Sequence, residues 1–299
     1  MKFLITGAVT CAENLLIELE NSGHKPVFMQ NESDELPEDA VNFDGVFCNA
    51  LFLHHPIENF KNLKYIQLTS AGLDRVPMDY VNEKGIKIFN ARGVYSVPMA
   101  EFALAGVLSL YKQMPFFRDN QKVHRWEKHR GLLELFGKFV LIVGCGNVGT
   151  ECAKRFLAMG CRIEGVDIAP IQSSFYENTY SLEQIDIALE RADIVILTLP
   201  LALETCGLFD ENKFEKMKTG AVIVNISRGA VIKEKALITA LKTKLGGAVI
   251  DVFENEPLDC KSSLWEMENA ILTPHNSFVG EGNKKRLETV ILQNLKNVY

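Results

Sequence analysis

The segment FVLIVGCGNVGTECAKRFLAM most constrains what this chain can become. An apolar run, Phe139 to Val143, leads into Gly144, Gly146 and Gly149 in G-x-G-x-x-G spacing, and a helical pattern from Asn147 to Met159 follows at once. Each glycine answers a steric demand. Gly144 permits a tight turn, Gly146 lets backbone approach a pyrophosphate, and Gly149 lets strand and helix pack closely while the helix N-terminus faces the anion. The spacing alone carries little weight without those flanking elements. The next strand pattern, CRIEGVD, ends in Asp167 at about the 20-residue distance expected of a carboxylate that accepts from a ribose 2′-hydroxyl. Neither Arg nor Lys occurs in the following Ile168, Ala169, Pro170, so a 2′-phosphate would meet repulsion and no local cation. The pattern predicts an NAD site rather than an NADP site.

The same alternation of short β-rich runs and helical stretches fills the chain. Before the glycine segment, strands are expected at Phe3 to Thr6, Pro26 to Met29, Gly45 to Cys48, Tyr65 to Leu68 and Ile86 to Phe89, with a helix at Ala12 to Glu20. A long apolar segment, Pro98 to Tyr111, reads as a helix with proline in its first turn, passing from one domain to the next. After Asp167 come a helix near Leu182 to Arg191 and strands in DIVILTLP, AVIVNIS, GAVIDVF and AILTPH. Such alternation predicts parallel sheets covered on both faces. At 299 residues two cores are expected. The tail, Lys284 to Val298, is too short to be a domain and is expected to pack back on the N-terminal one.

Bulk properties exclude several classes. With 47% hydrophobic and 23% charged residues the chain has an ordinary globular composition. A net charge of -6 argues against a nucleic-acid partner. The basic run Lys122 to Arg130 reads as a solvated helix face or linker. Seven scattered cysteines without a C-x-x-C pair suggest neither a disulfide framework nor a zinc ribbon, and fit reduced cytoplasmic thiols. The N-terminal apolar run breaks at Gly7, which suits a first strand better than a signal peptide. No stretch approaches the roughly 18 apolar residues of a membrane span.

Candidate chemistry lies at the ends of successive strands, which in an open parallel sheet gather around one crevice. Arg228 follows AVIVNIS, the acids Glu254 and Glu256 follow GAVIDVF, and His275 follows AILTP. A guanidinium fork suits a planar carboxylate because it makes two parallel charge-assisted hydrogen bonds. An imidazole gains and loses a proton near neutrality, and a neighbouring carboxylate favours its charged form. Together these groups meet the needs of hydride transfer at a 2-oxo acid: a cation, an acid for the carbonyl oxygen, and a group that fixes that acid. His54 and His55 lack nearby acids or cysteines at metal-ligand spacing and read as loop residues, and no metal is expected.

The chain resembles the D-isomer-specific 2-hydroxyacid dehydrogenases in the order and spacing of LTSAGLDRVP (68–77), NARGVYSVPMAEFAL (90–104), VGCGNVG (143–149), LTLPLALET (197–205), NISRGAVI (225–232), DVFENEPL (251–258) and TPHNS (273–277). The resemblance implies Arg228 as the ligand of the substrate carboxylate and carbonyl, His275 as acid/base, and Glu256, not Glu254, as its partner. It further implies that backbone amides at Ser70, Ala71 and Gly72 hold the substrate carboxylate. Asp251 would contact the nicotinamide amide, while Leu199, Pro200, Thr205, Ile226, Ser227 and Arg228 join Asn147 and Val148 along the cofactor. The implied fold is α/β with two doubly wound parallel-sheet domains: a central Rossmann NAD domain, 98–275, and a discontinuous flavodoxin-like substrate domain, 1–97 plus 276–299. A homodimer through the nucleotide domain would be usual. Lys233, where an acid is common, and Ala202, where Thr is usual, depart from the pattern without touching the expected chemistry. Formate dehydrogenases and the C-terminal-binding corepressors, which sense dinucleotides, share the architecture and are the rival readings. Asn49, His54, Arg75 and Tyr95 are candidates to shape the substrate pocket, but residue types leave open whether the acid is phosphorylated.

Overall fold

Strands that are apolar on consecutive positions suit burial on both faces, and the runs Phe3 to Thr6, Gly45 to Cys48 and Val140 to Val143 are so buried, whereas Phe28 in the run Pro26 to Met29, at a sheet edge, is 42% exposed. The computed structural model describes residues 1–296. The chain divides into two units, Met1–Tyr95 with the chain from Gly280 onward, and Ser96–Val279. In the first unit β1 (Lys2–Thr6), β2 (Lys25–Met29), β3 (Gly45–Cys48), β4 (Tyr65–Leu68) and β5 (Lys87–Phe89) form a parallel sheet of order β2-β1-β3-β4-β5. Helices α1 (Ala12–Asn21) and α2 (Met78–Lys84) connect its strands. Along β1, Leu4 enters one core with Val46 and Ile66, while Phe3 and Ile5 enter the other with Phe47 and Tyr65.

The second unit begins with α3 (Ser96–Tyr111) and α4 (Met114–Lys122). Its strands are β6 (Phe139–Val143), β7 (Arg162–Asp167), β8 (Asn178–Ser181), β9 (Ile194–Leu197), β10 (Val222–Asn225), β11 (Gly247–Ile250) and β12 (Ala270–Leu272). They form a wholly parallel sheet in the order β12-β11-β10-β9-β6-β7-β8, and α5 (Asn147–Ala158), α6 (Ile185–Leu189), α7 (Glu211–Lys216) and α8 (Glu234–Thr243) connect them. On β6, Leu141 and Val143 face one core, and Val140 and Ile142 the other. The chain then returns to the first unit in α9 (Asn283–Lys296), whose Leu287 and Ile291 pack with Phe3, Ile5 and Tyr65. Residues 297 and 298, at the end of the helix expected from sequence, lie outside the described residues.

One expected helix is shorter, one strand is unannounced by its sequence, and the basic run is a solvated linker, as one of its two expected readings has it. The stretch 182–191 is a 3₁₀ turn, Leu182–Gln184, followed by the five-residue α6, because Ser181 and Gln184 form a capping box that closes its first turn. Strand β8, with the sequence NTYS, has no apolar run to announce it and is held at the sheet edge by pairing with β7. The basic run splits at Lys122, where α4 ends, and the residues after it have no regular structure until β6. Among the described residues no helix is long and apolar enough to cross a membrane.

Candidate active site

Strand β6 delivers the glycine turn as the sequence requires. Gly144 has φ +103, and a Cβ there would stand 2.8 Å from the Leu199 nitrogen. A Cβ on Gly149 would stand 2.0 Å from the Gly144 oxygen, so this helix sits against the turn only as glycine. At Gly146 a Cβ would meet nothing within 4 Å, and this residue caps α5 without a side-chain hydrogen bond. Open space therefore lies over the N-terminal amides of α5, which an anion can satisfy. Asp167, at the end of β7, accepts from the Cys145 amide at 2.7 Å through one oxygen and from the Ile168 amide at 2.7 Å through the other. Its carboxylate is thus fixed beside the glycine turn. These residues fit a dinucleotide.

Of the other residues expected along the cofactor, several spend their polar atoms on their own loops. Thr205 is buried; its hydroxyl donates to the Pro200 carbonyl at 2.7 Å and accepts from the Ala202 amide at 2.8 Å, closing the 200–205 turn. Leu199 and Ile226 are buried in the cores on opposite faces of the sheet, and Pro200 is exposed. The Ser227 hydroxyl donates to Asn225 Oδ1 at 2.7 Å, while Asn225 Nδ2 donates to the Arg228 carbonyl at 3.1 Å. Asn225 was not singled out from sequence, although an Asn two residues before a Ser at a strand end is a turn signal.

The three candidate catalytic residues follow three adjacent strands, β10, β11 and β12. Glu256 and His275 are joined directly: His275 Nδ1 lies 2.8 Å from Glu256 Oε2. Glu256 is itself oriented by the Phe253 amide, which donates to Oε1 at 3.1 Å. The preference for Glu256 over Glu254 thus has a geometric counterpart in this bond. Arg228 stands half-buried in extended backbone just beyond β10, and its Nη1 donates to the Ser227 carbonyl at 2.9 Å. Next to it the Gly229 backbone presses on Phe253, where a Cβ would lie 1.9 Å from the Phe253 carbonyl. The Arg228 turn and the loop that carries Glu256 are therefore in backbone contact. Ser70, Ala71 and Gly72 follow β4 in the first unit, where the Ser70 hydroxyl donates to the Gly72 carbonyl at 2.9 Å.

His275 has φ +50, unusual for a residue other than glycine, and a fully buried carboxylate organises its loop. Asp251 Oδ1 accepts from Thr273 Oγ1 at 2.7 Å and the Asn276 amide at 2.8 Å; Oδ2 accepts from the Ser277 amide at 2.9 Å. The His275 amide donates to the Asp251 carbonyl at 2.7 Å. The sequence places Asp251 inside the expected strand GAVIDVF, whereas β11 ends at Ile250, and nothing in the sequence marks Asp251 as the tie that turns the His275 loop. Replacing Asp251 with Asn would set an NH2 group against one of these donors. A loss of about 2 kcal/mol is expected in urea denaturation, with a fall in turnover, as for other buried hydrogen bonds to charge.

The residues 104–277 match the family model described as D-isomer specific 2-hydroxyacid dehydrogenase, NAD binding domain. The chain is 34% identical over 224 residues to the hydroxypyruvate reductase of Thermotoga maritima, covering 73% of this chain and 72% of that protein. It is 32% identical over 303 residues to the D-3-phosphoglycerate dehydrogenase of Methanocaldococcus jannaschii, matching along its whole length but spanning only 57% of that relative. Among solved structures, a D-isomer specific 2-hydroxyacid dehydrogenase family protein from Aeromonas salmonicida superposes with a TM-score of 0.84 at 28% identity, over 99% of this chain and 95% of that one. The chain belongs to the D-isomer specific 2-hydroxyacid dehydrogenase family, and its second unit contains that family's NAD-binding domain.

Proposed function

We propose that the chain is an NAD-dependent oxidoreductase that interconverts a small D-2-hydroxy acid and its 2-oxo acid. The observation that carries this reading is the 2.8 Å contact between His275 Nδ1 and Glu256 Oε2 at the strand ends of a dinucleotide-binding unit. The nicotinamide, when bound, supplies or accepts the hydride. Glu256 engages Nδ1, so Nε2 is the nitrogen that gives a proton to the carbonyl oxygen in reduction and takes it back in oxidation. Glu256 fixes the orientation of the ring through its contact with Nδ1. The Arg228 guanidinium holds the substrate carboxylate and polarises the carbonyl. Asp251 supports the nicotinamide site through the His275 loop that it ties, rather than through a direct contact, because its carboxylate is fully buried in that loop. Amides at Ser70, Ala71 and Gly72 take the substrate carboxylate, making the first unit the substrate domain.

The carboxylate of Asp167 favours NAD over NADP. The active form is a homodimer through the nucleotide unit, where Trp126, Phe136 and Val123 are 98%, 80% and 65% exposed in one short segment. Seven cysteines, all free thiols, fit a reducing cytoplasm.

NADH oxidation with a panel of 2-oxo acids tests the reading. Steady consumption of NADH with at least one unbranched 2-oxo acid is expected. Binding of NADH without consumption by any of them would favour a dinucleotide sensor of the corepressor type, and oxidation of formate alone would favour the other rival.

A further inference from the structure

The five-stranded sheet has its strand order reversal between β1 and β3, the position at which an open α/β sheet of this order offers its ligand crevice. In this chain one of its own side chains fills that place. Glu32, three residues beyond β2, accepts from Thr6 Oγ1 at 2.7 Å and the Asn49 amide at 2.6 Å through Oε1, and from the Ala50 amide at 2.6 Å through Oε2. Consecutive amides of this kind form a nest that binds anions. All three of its partners are uncharged, so the negative charge is held in place without being neutralised by them. Beside it, Asn49 Oδ1 is buried with no hydrogen-bond partner, a second acceptor at the same strand end. The adjacent strand end carries Ser70, Ala71 and Gly72: Cys48 pairs with Leu68, and the Thr69 amide donates to the Cys48 carbonyl at 2.9 Å.

We propose that Glu32 determines substrate specificity: by occupying the amide nest at 49–50 next to Ser70–Gly72, it makes the enzyme reject 2-oxo acids with an anionic distal group and accept those with an uncharged one. This rests on the dehydrogenase reading and on the substrate carboxylate lying at Ser70–Gly72. Position 49 follows β3, the strand next to β4, so a distal group that extends from Ser70–Gly72 across the adjacent strand end meets it. A hydroxyl there finds acceptors; a phosphate or sulfonate finds a fixed like charge and an anion nest already taken. Names among the relatives span both kinds, from hydroxypyruvate reductase to D-3-phosphoglycerate and (S)-sulfolactate dehydrogenases, so family membership does not choose between them.

The test compares kcat/KM for hydroxypyruvate and 3-phosphohydroxypyruvate in the same protein, a ratio from which any general loss of folded enzyme cancels. In the native chain hydroxypyruvate should be preferred by about 100-fold, the scale of a like-charge contact. Glu32→Gln, nearly the same shape without the charge, should shrink that preference about tenfold. A preference for the phosphorylated acid, or a ratio unmoved by Glu32→Gln, overturns the proposal. A second measurement needs no turnover: thermal unfolding with inorganic phosphate. Glu32→Ala frees the nest and should gain stabilisation by phosphate over the native chain, and equal shifts in both overturn the role of Glu32. If neither oxo acid is reduced, the dehydrogenase reading fails, and the phosphate titration still decides whether Glu32 blocks an anion site.

Discussion

His275→Ala is expected to lower turnover by at least about 10³-fold while leaving NADH binding, followed by fluorescence titration, within a factor of two or so. The asymmetry follows from the geometry. The glycine turn, the N-terminus of α5 and Asp167 are built on β6 and β7, whereas His275 follows β12, four places from β6 in the sheet order. Removing the ring removes the proposed proton donor and leaves Glu256 Oε2 without its partner, but disturbs no group near the dinucleotide turn. Turnover within tenfold of the native chain would remove His275 from the chemistry. Loss of NADH affinity in parallel would instead make it part of the nucleotide site.

A second large effect is expected from a single methyl group. Gly229→Ala places a carbon 1.9 Å from both the carbonyl carbon and oxygen of Phe253, contacts that no side-chain rotation can relieve. Either the Arg228 turn or the loop from Phe253 to Glu256 must move. The expected cost is about 3 kcal/mol, or a fall in Tm of roughly 6–12 °C for a unit of this size. Because Arg228 immediately precedes Gly229 and the Phe253 amide orients Glu256, kcat/KM should fall more steeply than stability alone explains. A variant with native Tm and native kcat/KM would mean that the two loops are not coupled through this contact.

The parts of the fold that were legible in sequence are those where one residue type answers one steric or burial demand. The strands from β6 to β12 that read as apolar runs are buried on both faces, and Gly144 and Gly149 sit where any side chain would collide with backbone. β8 was illegible because an edge strand of NTYS owes its place to its neighbour rather than to its own pattern. The helix near 182–191 was too long in sequence because its first turn is decided by a side-chain capping box. At the site, the residue types of Arg228, Glu256 and His275 pointed to one chemistry, but choosing Glu256 over Glu254 took the family resemblance. Asn225 bonds within its own turn, to Ser227 and Arg228, whereas the roles of Asp251 and Glu32 are hydrogen-bonding roles across loops distant in sequence. Nothing in their local spacing announces which amides they will meet.

The return of α9 to the first sheet sets an order for biosynthesis. Leu287 and Ile291 complete the core that holds Phe3, Ile5, Phe47 and Tyr65, so β1 waits during synthesis for a helix made after the whole Ser96–Val279 unit. The unit from Ser96 to Val279 is continuous in sequence and has all its strands before that helix is made. A nascent chain stalled before α9 would therefore carry a finished nucleotide unit and a first sheet with one apolar face covered only in part, by Leu15 and Leu19 of α1, a species open to chaperone capture or aggregation. Docking of α9 is the step that completes the first unit.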